Sequence, residues 1–230
     1  MTITACNLSL NDWAAPESLT ITTDEIGPSV DARGADWKDI SPGTLDLSNS
    51  KLCRVDLRGA DLSFVQLEGA DLRLARYDNR TKWPSHFDYR RCGAIGPKAI
   101  LNGCFLNGAD LSEMDLGGAS MMGTHLSGSD LSATCLENVR FAGADLRHAV
   151  LRGAQCCGAR FSGCQLDYTD FRWANLAGAD FSSLESVKGA DFKGATDLNR
   201  LRADLLSRSY QELDTWNPLT RRTTRVSLTG

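Results

Sequence analysis

With 230 residues, 42% of them hydrophobic and 23% charged, the chain has an ordinary globular composition and is neither disordered nor fibrous. The formal charge of −4 is weak. No stretch approaches the roughly 18 apolar residues of a spanning helix, and the first ten residues lack a signal peptide's basic flank and apolar core, so the expected compartment is the cytoplasm, away from any membrane.

In chain order, residues 1–34 come first, an acidic segment with Asp12, Glu17, Asp24, Glu25 and Asp31 and no Lys or Arg before Arg33. It is read as an N-terminal cap. A five-residue beat begins at Ala35-Asp36-Trp37, stumbles where Pro42 falls on a central site, and runs regularly from 45 to 79 through Leu47, Leu52, Leu57, Leu62, Leu67, Leu72 and Tyr77. Pro disfavours a regular strand, so the first coil is expected to be irregular. After an interruption at 80–98 the beat holds for seventeen pentads, 99–183, with apolar centres from Leu101 to Phe181. A six-residue unit, 184–189, predicts one bulge before Ala190-Asp191-Phe192 resumes the pattern. From Thr196, taken as N-cap, Leu198, Leu201 and Leu205 predict a helical cap, which with a basic, solvated tail of Arg221, Arg222 and Arg225 makes up 196–230.

The small and large apolar sites of each pentad, such as Ala144 and Leu146, lie two residues apart, which is the strand repeat and turns both inward. A five-residue period on a helix would drift by about 140 degrees per step and smear the leucines around it. The eight cysteines include no C-x-x-C pair. Cys104, Cys156 and Cys164 fall on inward sites, as packing rather than as metal ligands.

The tandem motif seen in Ala60-Asp61-Leu62, Ala70-Asp71-Leu72, Ala109-Asp110-Leu111, Ala144-Asp145-Leu146 and Ala179-Asp180-Phe181 resembles the pentapeptide-repeat family. That resemblance covers 35–195 and implies an all-β fold, a right-handed quadrilateral parallel β-helix with four pentads per coil. Phe141, Phe161 and Phe181 recur every twenty residues and would stack in one ladder. Twenty-five regular pentads give about six coils, roughly 30 Å of stacked ladder. The insert, from Tyr77-Asp78, and the ending Glu212 to Pro218 resemble segments of cyanobacterial and plastid members of the family.

The insert sets Trp83, Phe87 and Tyr89 beside Lys82, Arg90 and Arg91, the mixture found at interface anchors. Two readings stay open: the aromatics staple the insert to the coil wall, or the loop protrudes and binds a partner. Tyr168 and Trp173 occupy outward corners, to be covered by the C-terminal segment or by a partner.

No catalytic motif, phosphate loop or dinucleotide turn is present, and a self-filled column leaves no interior pocket, so no enzyme, cofactor or metal is expected. Stacked twenty per coil, Asp145 falls above His125, an exposed pair expected to be solvated. The expected function is a non-catalytic protein–protein interaction scaffold or regulatory module. Its partner is a protein, including a second copy met end to end, with no direct nucleic-acid binding. The alternative is resemblance to the gyrase-binding members of the family, which mimic duplex DNA and protect the enzyme from inhibitors. A 30 Å mimic would want about eighteen negative charges. Residues 35–195 hold 20 acidic and 18 basic residues, a net of −2, although one face could still be selectively acidic.

Overall fold

The computed structural model describes residues 28–198 and 201–229. They fall into two compact units, 28–100 and 101–229.

In the unit 101–229, parallel bridges join Phe105, His125, Asp145 and Gln165, each twenty residues from the next. Parallel columns start at Asp110, Asp115 and Ser120, so each coil has four walls. The fold is a right-handed quadrilateral β-helix with short C-terminal helices. Between walls the chain turns sharply: Ala144 N–H donates to the Phe141 carbonyl at 2.7 Å, and Gly143 takes φ +70. At the next corner His148 holds the same left-handed conformation, φ +60, where glycine is the cheapest residue.

Inside, the central side chains fill the column. Phe161 stacks between Phe141 at 5.2 Å and Phe181 at 4.8 Å, while Phe171 and Phe192 stack at 5.1 Å on the opposite wall. Burying each such side chain contributes about 1.5–3 kcal/mol. The small inward sites satisfy buried carbonyls: Thr124, Thr134 and Thr169 donate to Leu101, Leu111 and Leu146 at 2.9, 2.9 and 2.8 Å. Cys156 and Cys164 are buried and Cys104 half-buried. Burial pushes the Cys164 thiol up to about 12.

The spacing between rungs rises from 20 residues at Arg160–Asp180 to 21 at Gln165–Ser186, Asp170–Asp191 and Asn175–Thr196, which is the single extra residue of the 184–189 unit. Thr196 is therefore the last wall rung and not a helix N-cap: its backbone N–H donates to the Ala174 carbonyl at 3.0 Å.

The last coil would leave an unpaired edge, and the C-terminal segment answers it with side chains. Helices α1 (Leu201–Leu206) and α2 (Tyr210–Leu213) precede a hairpin of β1 (Trp216–Asn217) and β2 (Arg222–Thr223), and α3 (Thr224–Thr229) follows. Asn217 Nδ2 donates to the Gly189 carbonyl at 2.8 Å, Thr224 Oγ1 to Val187 at 3.2 Å, and Phe192 N–H donates to Ser227 Oγ at 3.1 Å. The basic stretch is folded, not a solvated tail. Arg225 is paired with Asp214 at 2.7 Å, and Arg222 Nη1 lies 3.6 Å from the buried carboxylate of Asp191.

In the unit 28–100 the ladder begins at Asp31, bridged to Lys51, and Ala32 is buried. Described residues 28–34 thus belong to the wall; the rest of the expected N-terminal cap lies outside the described residues. Around Pro42, residues 41–45 carry no bridge, which is the expected irregularity. The stretch 80–98 is not simply a loop out of the coil. Lys82 bridges Asp61 and Ile95 bridges Arg76, at spacings of 21 and 19, so it supplies two rungs of wall.

Candidate functional site

Between those two rungs the insert folds over Tyr77, the aromatic residue at the last regular central site before it. Trp83 is sandwiched between Phe87 at 5.6 Å and Tyr89 at 5.7 Å, and Tyr77 meets Trp83 and Tyr89 edge-on at 5.5 and 5.7 Å. The three insert aromatics are half-buried and Tyr77 is buried. Tyr77 can sit so low because Gly96 lies against it: a Cβ there would come within 2.6 Å of the Tyr77 carbonyl and 2.8 Å of its ring. Tyr77 Oη donates to the Pro97 carbonyl at 2.7 Å.

Two contacts tie the insert's outer side to the wall, an ion pair from Lys82 to Asp61 at 2.7 Å and a polar contact of His86 Nε2 with Glu68 Oε1 at 3.1 Å. Lys82 and the Ser63 hydroxyl and N–H bring the Asp61 carboxyl down to about 2. A 3-10 turn, Tyr89–Arg91, follows, and the Arg90 carbonyl accepts the Ile100 N–H at 2.7 Å. Arg90 and Arg91 are exposed, with Arg91 3.6 Å from Asp88. Of the residues expected at the site, Trp83, Phe87 and Tyr89 come together, and the arginines leave the edge of their stack.

Beside the stack opens a cleft of about 350 Å³ lined by Tyr77, Asp78, Asn79, Thr81, Trp83, Pro84, Ser85, Phe87, Tyr89, Pro97 and Lys98. Asp78 turns its carboxylate to the backbone: Oδ1 accepts from Gly59, Arg80 and Thr81 N–H, and Arg80 Nε donates to Oδ2. Tyr77, Ser85, Pro97 and Lys98 were missed by sequence reasoning. An aromatic at Tyr77, where the other centres of the 45–79 block are Leu, was the available signal.

Tyr168 and Trp173 turn successive corners of the unit 101–229, at φ +60 and +58, a conformation costing about 1–2 kcal/mol for non-glycine residues. Tyr168 stacks on His148 at 5.0 Å and lies against Gly189. Trp173 remains 49% exposed, packed on Gly194 with the Arg152 guanidinium 4.5 Å from its ring. His125, bridged to Asp145, stacks on Phe105 at 4.4 Å.

The wall's charge is largely consumed locally. In Asp31–Arg33, Asp56–Arg58, Asp71–Arg73, Asp145–Arg147 and Asp170–Arg172 the arginine two residues on donates to both carboxylate oxygens. One wall still lines up Asp110, Asp130, Val150, Asp170 and Asp191.

A column packed by its own side chains, with its distinctive chemistry on corners and on one insert, defines a β-helical solenoid. The chain belongs to the pentapeptide repeat family: the model for a pentapeptide repeat region matches residues 98–171, and that for pentapeptide repeats (8 copies) matches 45–76. A pentapeptide repeat protein from the Arabidopsis thaliana thylakoid lumen is 25% identical, over 56% of this chain and 86% of that one, with a TM-score of 0.51. HetL of the cyanobacterium Nostoc, involved in heterocyst differentiation regulation, is 23% identical over 73% and 87% of the chains, TM-score 0.27. Full-length QnrB1, a plasmid-mediated fluoroquinolone resistance protein, is 21% identical over 80% and 97%, TM-score 0.22. No curated protein matches the chain. Among the described residues no helix is long and apolar enough to cross a membrane.

Proposed function

We propose that this protein is a non-catalytic binding scaffold whose protein partner docks on the insert, with Arg90 and Arg91 as anchors. The observation that carries this reading is the platform beneath them. The packed rings of Tyr77, Trp83, Phe87 and Tyr89 and the Arg90–Ile100 hydrogen bond hold the 3-10 turn, so the backbone that presents two exposed guanidiniums has little ordering left to lose on binding. The partner's matching surface is acidic, and the cytoplasm fits the free thiols of the described cysteines. Affinity capture from the host with wild type and an Arg90→Ala/Arg91→Ala variant tests it. Loss of a captured protein with unchanged circular dichroism supports the reading; identical capture overturns it.

The aspartate wall favours a second reading, in which that wall stands in for duplex DNA toward gyrase. Val150 interrupts it, Arg172 neutralises Asp170, and Asp191 is 1% exposed and faces Arg222, which leaves few free charges against the one per about 1.7 Å that duplex carries. Dose-dependent inhibition of gyrase supercoiling that weakens on Asp110→Asn/Asp130→Asn substitution would reverse the ranking.

A further inference from the structure

Arg152 departs from the clamp that holds its counterparts. Arg33, Arg58, Arg73, Arg147 and Arg172 each donate to the aspartate two residues before, but ahead of Arg152 that place is taken by Val150. Its exposed guanidinium donates to no group among the described residues and lies over the Trp173 ring of the next coil, 4.5 Å from the centroid. Trp173 is itself an exception. It holds a left-handed corner, φ +58, that Gly153 and Gly194 hold in the coils before and after, yet it stays 49% exposed, so burial does not account for it. The same corner column continues through Arg172 and Lys193. Asp170 neutralises Arg172, while Lys193 is exposed and its ammonium forms no ion pair among the described residues. Asp191 is buried opposite Arg222, and Asp130, one rung below Val150, accepts the Ser132 N–H at 2.8 Å and forms no ion pair with Arg152.

We propose that this corner of the unit 101–229 docks an acidic segment of a partner protein, a carboxylate of that segment accepting two parallel N–H bonds from the Arg152 guanidinium. A guanidinium laid on an indole ring keeps its fork of donors ordered, and that fork matches a carboxylate bidentately. Lys193, two rungs on and about 10 Å along the column, meets a second carboxylate of the same segment. The exposed part of Trp173 supplies apolar contact beside the charge, the pairing of Trp and Arg found where interfaces concentrate their affinity. Single-stranded nucleic acid fits less well: Arg152 already covers a face of the ring on which a base would stack, and Asp170 removes Arg172 from the count of phosphate contacts. The inference does not rest on docking at the insert, since none of these residues belongs to it.

Fluorescence anisotropy of a fluorescein-labelled hexaglutamate peptide at low salt tests the proposal. The full chain is titrated with Arg90→Ala/Arg91→Ala in place, so that the insert arginines contribute nothing and the two docking sites are judged separately. Saturable binding is expected for hexaglutamate and none for hexaglutamine. Arg152→Gln should weaken it about tenfold, as for loss of a hydrogen-bonded charge pair. Val150→Asp, at a half-buried wall site, restores the missing clamp and should weaken binding as much while the melting temperature holds. Arg140→Gln, on another wall, should change nothing. Absence of saturable binding, equal affinity for hexaglutamine, indifference to Arg152→Gln or to Val150→Asp, or tighter binding of a labelled oligothymidylate of the same length would each overturn the proposal.

Discussion

Arg147 closes a ring on Asp145 two residues before it: Nε lies 2.8 Å from one carboxylate oxygen and Nη2 2.7 Å from the other, while the Arg147 N–H donates to the first at 3.1 Å. The same geometry recurs wherever Asp-x-Arg falls across a wall and its corner, so a wall rich in aspartate is kept near neutral by neighbours in sequence.

These carboxylates set the acid limit of stability. Arg147 holds Asp145 below its ordinary value, and Lys82 with Ser63 bring Asp61 to about 2. Folded values below the unfolded one, about 3.9, mean a contribution fully present above that pH and lost as pH falls through the folded values. The melting temperature should therefore stay level from neutral pH to about 4 and fall between about 4 and 2, as followed by circular dichroism. A level curve down to pH 2 would contradict the clamps.

Leu146 is 0% exposed and Arg147 beside it faces out. Leu146→Asp buries an unpaired charge and should cost more than about 4 kcal/mol, whereas Arg147→Gln removes a surface pair and should cost under about 1 kcal/mol. Urea titrations giving equal midpoints would reverse the inward and outward assignment.

Two glycines separate close approach from backbone conformation. Gly96→Ala drives a methyl group into the Tyr77 carbonyl and ring and should cost about 1–3 kcal/mol, with a shift in indole fluorescence as Trp83 loses its seat. Gly103→Ala meets nothing within 4 Å and bears only its φ of +67, about 1–2 kcal/mol with the emission unchanged. Fluorescence indifferent to Gly96→Ala would argue against the stack.

The C-terminal cap is held by few polar side chains. Asn217→Ala leaves the Gly189 carbonyl and the N–H groups of Leu219 and Thr220 without their partner and should cost about 1–3 kcal/mol. Freeing the last edge should also promote self-association, read as concentration-dependent mass by light scattering.

Much of the wall was legible because its signal is local and repeated. A Leu or Phe every fifth residue and a six-residue unit at 184–189 each act on their own coil or the next. The insert was harder. Trp83, Phe87 and Tyr89 announced themselves by composition, but Lys98 and Pro97 join them only through a fold-back that no period encodes. Thr196 was misjudged for a related reason: a threonine before leucines suits a helix cap, yet here the Asn175 rung claims its backbone first.

The sequence by itself determined the repeat, its inward and outward faces and its one extra residue, because a two-residue strand periodicity and a five-residue beat leave a single way to bury the leucines. Only the tertiary structure decided which charges remain free, that Gly96 seats Tyr77 under the insert, and that Asn217, Thr224 and Ser227 close the last coil. Those outcomes depend on which groups meet across tens of residues, where close packing and unmet hydrogen bonds select the partner and sequence spacing carries no mark of it.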